Sequence, residues 1–261
     1  MSESSTASGR QISLGVSQYA KEQGNWILYI EDQDLISVPL QLAQGWTGDG
    51  IIARTPGTTL NNALKRVSCP IVELQGTRRG ACEVMVDTDL EMERCIKHYQ
   101  DKRVSSIAFY GFGNVWWLEA RRKSFLKIIS QFDLHRHCFV DTSSKQRGLL
   151  PPWSDSHEKT LICWLKALPV HTGIITATDY QAIRVLNTCQ KIGIAVPEQM
   201  AVLGLNNDEY LCNMVTPSLS SLDQNAEMIG YKGAELLNHK MTTRGAKGRQ
   251  LKEKNGIVNF L

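Results

Sequence analysis

The sequence has no apolar run approaching the roughly 20 residues needed to cross a bilayer, and its N-terminus, "MSESSTASGR", lacks the hydrophobic centre of a secretion signal. Its seven cysteines include no C-x-x-C pair. An odd, scattered set on apolar segments predicts buried thiols in a reducing, cytoplasmic compartment. Excess charge is also missing: a net +3 over 261 residues excludes a nucleic-acid surface built on charge alone. No zinc-ligand spacing is present. The nearest approach, His135, His137 and Cys138, matches none of the known patterns. No nucleophile elbow accompanies a Ser-His-Asp or Cys-His order. His98, His157, His171 and His239 fall on predicted helices or loops without an acidic partner. The expectation is therefore a soluble protein that is not an enzyme, with no cofactor, no metal and no membrane contact. Internal repeats and low-complexity runs are absent too.

What remains is ordinary globular composition, 42% apolar and 21% charged, arranged around residues 169–208. Gly173 to Ala177 is a short β-branched run, and Thr178-Asp179 supplies an N-cap. Ala182, Val185, Leu186, Cys189 and Ile192 then recur at helical spacing until Gly193. Met200 to Leu205 is a second strand, ending in Asn206-Asn207-Asp208. Strands joined by a helix lie parallel, so both polar ends emerge on one sheet edge, where open α/β sheets bind ligands.

The same alternation runs through the rest of the chain. A helix from near Gln11 to before Gly24 is followed by a strand over Trp26–Ile30 and a helix around Leu40–Ala43. Next come a strand over Gly50–Arg54, a helix over Thr58–Val67, a strand in "CPIVELQG", an extended piece over Glu83–Val86 and a helix over Leu90–Gln100. A second series holds a strand in "VSSIAFYG", a helix over Trp117–Phe132, a strand in "HRHCFVD", a loop over residues 142–155 and a helix over His157–Leu168. After residue 208, "MVTPSLSSLDQN" reads as extended, Ala226–Met241 as helix, and "GIVNFL" as a short strand. Two series of this kind predict two α/β lobes.

Three strand ends gather polar and aromatic groups: Tyr110 to Arg121, Thr178-Asp179, and Asn206 to Asp208. Carboxylates, amides and an arginine can hold vicinal hydroxyls, while an indole face packs on a sugar's C–H surface. Trp117 and Arg121, four apart, share a helix face. The alternatives are Asp179 as a plain N-cap, Trp117 as core and Arg121 as a solvated helix residue. Gly111-x-Gly113 after a strand hints at a dinucleotide fingerprint, but the third glycine position is Trp116. The basic tail (Lys240, Arg244, Lys247, Arg249, Lys252, Lys254) reads either as a phosphate contact or as a solvated terminus.

The stretches "WTGDGIIAR", "SSIAFYG…WWLEARRKSF", "GIITATD", "GIAVPEQMAVLGLNNDEYLCNMVTPSLSSL" and "NAEMIGYKGAELL" resemble the sugar-sensing domain of lactose-repressor-type regulators, and look most like the xylose operon regulator branch. The similarity runs from about Gly9 to Met241. It implies a type I periplasmic-binding-protein-like fold: two Rossmann-like lobes with parallel sheets, three crossovers and a sugar, a pentose such as xylose, held in an interlobe cleft. The lobes would comprise residues 1–104 with 224–261, and 105–223. Crossovers would fall near Lys102–Ser105, near Leu222–Gln224 and just past Met241. Closure of the lobes around sugar would carry the signal. The implied ligand residues are Ser8, Asp89, Trp117, Arg121, Thr178, Asp179, Asn206, Gln224 and Asn225. Asn206 stands where the family usually has aspartate. The resemblance also implies a strand before "ESSTASGRQ" and an arabinose-regulator-type DNA-reading domain after the sensor. Neither has a counterpart in this sequence, so DNA would be reached only through a domain absent from it. The resemblance further implies a homodimer. Alternatives are a solute-binding protein of sugar transport and a truncated remnant that binds nothing.

Overall fold

A computed structural model of the chain describes residues 6–30, 45–54, 62–75, 82–113, 115–142, 154–243 and 259–260. In chain order the elements begin with α1 (Ala7–Gln23), β1 (Ile51–Ala53), β2 (Ile71–Leu74), β3 (Cys82–Val84) and α2 (Thr88–Asp101). They continue with β4 (Ser106–Phe112), α3 (Trp116–Ile129), β5 (His135–Asp141), α4 (Asp155–Ala167) and β6 (Thr172–Thr176). Last come α5 (Asp179–Lys191), β7 (Met200–Leu205), α6 (Glu209–Asn213), β8 (Ser220–Asp223), α7 (Ala226–Thr242) and β9 (Asn259–Phe260). Two compact units result, one within Met1–Asp87 and Asn225–Ile257, the other within Thr88–Gln224 and Val258–Leu261.

In the second unit the strand sequences dictate a two-sided layer. Along β4, Ile107 and Phe109 point to one core, while Ala108, Tyr110 and Phe112 point to the other, the period-2 alternation of a pleated strand. The first face is covered by α2 (Met92, Cys95, Ile96, Tyr99) and α3 (Leu118, Phe125, Ile128, Ile129). The second is covered by α4 (Leu161, Leu165) and α5 (Ala182, Val185, Leu186, Cys189). With both faces roofed, every residue of β4 and of β6 is buried, as parallel sheets require. The sheet order is β5-β4-β6-β7-β8-β9, parallel except for the antiparallel β9. The chain steps from β4 outward to β5, then returns across β4 to β6. The order therefore reverses between β4 and β6, and ligands bind outside the carboxyl ends at such a reversal.

In the first unit, β1, β2 and β3 form a parallel sheet in that order. Ile52, Val72, Leu74 and Val84 share a core with Ile229, Leu236 and Leu237 of α7 and Ile12 of α1. The two helices lie backbone to backbone. A Cβ on Gly15 would sit 1.8 Å from the Glu227 carbonyl oxygen, and one on Gly230 would sit 2.0 Å from that of Ile12.

Several expectations change here. Residues 25–30 form no strand, and Ile27 is 81% exposed. The apolar pattern is present, but no described strand lies beside it to complete a ladder. The first passage between units follows Asp87, ahead of the expected Lys102–Ser105, because α2 packs with the second sheet. There the Tyr99 hydroxyl reaches the Ile174 and Ala201 carbonyls at 3.0 and 3.1 Å. The second passage follows Gln224. The run from Met214 is extended only over β8, and the short helix α6, capped by Asp208, precedes it. Cys95, Cys189 and Cys212 are buried as expected, whereas Cys138 and Cys163 are exposed. The expected helix at Leu40–Ala43, most of the loop at 142–155 and the crossover past Met241 lie outside the described residues, as does the start of the helix at Thr58–Val67. Among the described residues no helix is long and apolar enough to cross a membrane.

Candidate functional site

The polar groups of the second unit converge at the carboxyl ends of β6, β7 and β8. Arg121, in the second turn of α3, is buried, which overturns the solvated alternative. Its Nε donates to Glu91 Oε2 at 3.1 Å and its Nη2 to Glu91 Oε1 at 3.2 Å. This is the two-pronged geometry that arginine offers a carboxylate. Nη1 donates to the carbonyl of Ala177, just past β6. Nη2 also reaches Asn206 Oδ1, past β7, at 3.4 Å. Gln224 Nε2, past β8, donates to Glu91 Oε1. Trp117, one turn earlier on α3, lies under the guanidinium with its ring centroid 5.5 Å from Cζ. It also packs against the α2–α3 core, so the core and stacking readings of Trp117 both hold.

Asp179 occupies a separate, adjoining pocket of hydrogen bonds. Thr178, not Asp179, caps α5, its side chain accepting from Gln181 N at 3.3 Å. This frees the Asp179 carboxylate to turn inward, where Oδ1 accepts from the Ser221 hydroxyl at 2.5 Å and Oδ2 from the Asp208 N–H at 2.8 Å. Space for it comes from Gly204, whose Cβ would stand 2.1 Å from Oδ1. Burial pushes the Asp179 carboxyl up to about 7, against the lowering effect of those two hydrogen bonds. Gln181 locks the adjacent end of β4, its amide bonding Phe112 N and O at 3.2 and 2.9 Å.

The remaining residues read from the sequence lie elsewhere. Asp89 accepts from Ser124 at 2.6 Å and from Lys127 at 2.5 Å, on the α2–α3 seam. Ser8 and Asn225 belong to the first unit. The Ser8 hydroxyl is buried with no hydrogen-bond partner among the described residues, and Asn225 caps α7, accepting from Met228 N at 3.3 Å. No group of His, Cys, Asp or Glu among the described residues is arranged to hold a metal.

Glu91, Ser221 and the Ala177 carbonyl were not read from the sequence. Glu91 had a legible signal. It stands on the stripe of α2 that carries Met92, Cys95 and Tyr99, and a carboxylate on a core stripe needs a buried partner. Nothing local names that partner as Arg121, thirty residues on.

Comparison with known proteins bears on the family and the fold. A family described as the periplasmic binding protein-like domain matches residues 96–258, and one described as the XylR N-terminal domain matches residues 3–83. The xylose operon regulatory protein of Haemophilus influenzae is 30% identical over 242 residues, covering 89% of this chain and 60% of that protein. Its counterpart in Escherichia coli K12 is 29% identical over 239 residues, covering 88% and 59%. These relatives are regulators rather than enzymes. A solved structure of a xylose-binding transcription activator, xylR, superposes with a TM-score of 0.80 at 27% identity, over 96% of this chain and 64% of that one. A periplasmic binding protein/LacI transcriptional regulator from Alkaliphilus metalliredigens, complexed with D-xylulofuranose, shares the fold with a TM-score of 0.72 at 18% identity, over 94% and 90%. The chain thus spans about 60% of the length of the curated relatives it matches.

Proposed function

Because the chain belongs to the periplasmic binding protein-like family, we propose that it is the effector-sensing part of a sugar-responsive transcription regulator, taking a pentose such as xylose and catalysing nothing. The observation that carries the reading is the buried Arg121 cluster at the carboxyl ends of β6, β7 and β8. It sets an arginine, a carboxylate and two amides beside an indole ring. Such groups satisfy vicinal hydroxyls in pairs, and the ring covers the ligand's C–H face. The names of the relatives support xylose and its kin as the ligand in this reading. They also favour regulation over transport. Asp179 and Thr178, beside the cluster, are further candidates in this reading.

Signalling in this reading is a ligand-driven shift between conformations, and two copies act as a pair. A thermal-shift titration with D-xylose, L-arabinose and D-glucose tests the ligand. Saturable stabilisation by one sugar is expected, and it should be lost in Arg121→Ala and in Asp179→Ala. A cooperatively melting protein indifferent to all three sugars refutes the reading. Light scattering at high concentration tests the pairing, and a monomer there counts against it.

A further inference from the structure

We infer that Glu91 sets the charge selectivity of the Arg121 cluster, making it a site for neutral polyhydroxyl ligands that rejects sugar acids and sugar phosphates. The inference rests on the sugar-sensing reading above and adds a residue and a ligand property to it.

A buried arginine is ordinarily the natural seat for a carboxylate or phosphate, because its planar fork matches two oxygens. Here that fork is already taken. Nε and Nη2, the edge that would receive an anion side-on, both point at Glu91. Nη1 is held by the Ala177 carbonyl. Glu91 is itself fully buried, is fixed by the Gln224 amide, and stands on a helix whose next residues are core. It cannot swing into solvent to release the arginine without opening the α2–α3 core. The pair is therefore electrically neutral as seen by an arriving ligand. Asp179, close by, adds only acid. An anion entering this site would lose its hydration and meet no uncompensated cation, whereas a hydroxyl can donate to Glu91 or Asn206 at no charge cost.

The test is isothermal titration of the whole chain with D-xylose, D-xylonate and D-xylose 5-phosphate, in the wild type, Glu91→Gln and Glu91→Asp. Glu91→Gln keeps the shape and one acceptor oxygen but leaves Arg121 uncompensated. The wild type should bind xylose and neither anion. Glu91→Gln should gain xylonate affinity on the order of tenfold or more, the worth of one charged hydrogen bond. Glu91→Asp, which retains the charge, should not. A purely structural role for Glu91 would weaken every ligand and create affinity for none. Wild-type protein that binds xylonate or the phosphate as tightly as xylose overturns the inference even if Glu91→Gln fails to fold. A folded Glu91→Gln without anion affinity overturns it as well. Wild-type protein silent toward every neutral sugar removes the sugar-sensing reading itself, a result distinct from either.

Discussion

The two units build parallel sheets from similar strand sequences but secure them differently. In the second, the central strands β4 and β6 are buried along their whole length between α2 and α3 on one face and α4 and α5 on the other. In the first, the described strands are three or four residues long, and the layer above them is α7 with α1 seated on it by glycine contacts. Stability in the second unit is thus spread over many side chains. In the first it is concentrated in the fit of one helix pair. The buried polar network follows the same division. A saturated network such as Arg121–Glu91–Gln224 needs rigid strand ends to fix its geometry, and the two-sided sheet supplies them.

The largest expected effect breaks the second unit at its centre. Phe109, fully buried on β4, stacks on Phe125 with centroids 5.5 Å apart. Phe109→Ala should lower that unit's unfolding free energy by about 3–5 kcal/mol. The matching change in the first unit, Leu74→Ala, should cost about 2–3 kcal/mol. Urea unfolding followed by hydrogen exchange of individual peptides reads both units in one experiment. Equal loss of protection in both units from either variant would show that the contrast has no energetic meaning.

A smaller substitution probes the helix pair. Alanine is intrinsically better than glycine inside a helix by about 1 kcal/mol, so Gly15→Ala would stabilise an isolated α1. Here its Cβ meets backbone atoms, the Glu227 carbonyl oxygen at 1.8 Å and the Tyr231 nitrogen at 2.7 Å. Backbone cannot rotate aside as a side chain can. The helices must separate, and the first unit should lose about 3 kcal/mol while peptides of β4 and β6 keep their protection. A neutral or stabilised Gly15→Ala would mean that α1 is not held against α7 as described.

The same contrast explains what was legible in the sequence. From β4 to β7 local pattern and tertiary structure agree. Apolar alternation, the Thr178 cap and the turn at Gly193 each mark an element that the two-sided sheet then stabilises. Arg121 and Asn206 were legible as polar groups because strand ends and the helix that follows them are predictable places, whereas Gln224 was named only through the family resemblance. Three things were not. Trp26 to Ile30 has a strand's composition, but a strand needs a neighbour and pattern cannot supply one. Helix α6 is five residues long, too short for periodicity to register, and only Asp208 as its cap announces it. The pairing of Glu91 with Arg121 joins two helices thirty residues apart, and a neighbouring acid, Asp89, offered an equally plausible spacing. Long-range partners are fixed by how helices seat on the sheet, which no local window contains.

The smallest effect concerns pH and belongs to the second unit alone. The Asp179 carboxyl, raised to about 7 from 3.8 chiefly by burial, keeps its proton in the folded state over a range in which the unfolded chain has lost it. Its contribution to stability is therefore fully present below the unfolded value, and it is lost as pH rises through the folded one. Between pH 5 and 7.5 the second unit should weaken by roughly 2–2.5 kcal/mol from this group. Asp179→Asn cannot ionise, and its amide can still accept from the Asp208 N–H while donating to the Ser221 oxygen, so its stability should stay flatter over that interval. The difference between the two pH profiles cancels every other titrating group, because the two proteins share them all. Parallel profiles would mean that Asp179 titrates as an ordinary carboxylate, with the Ser221 and Asp208 hydrogen bonds outweighing burial. That would also place a full negative charge beside Arg121 at neutral pH, making the site still less hospitable to anions.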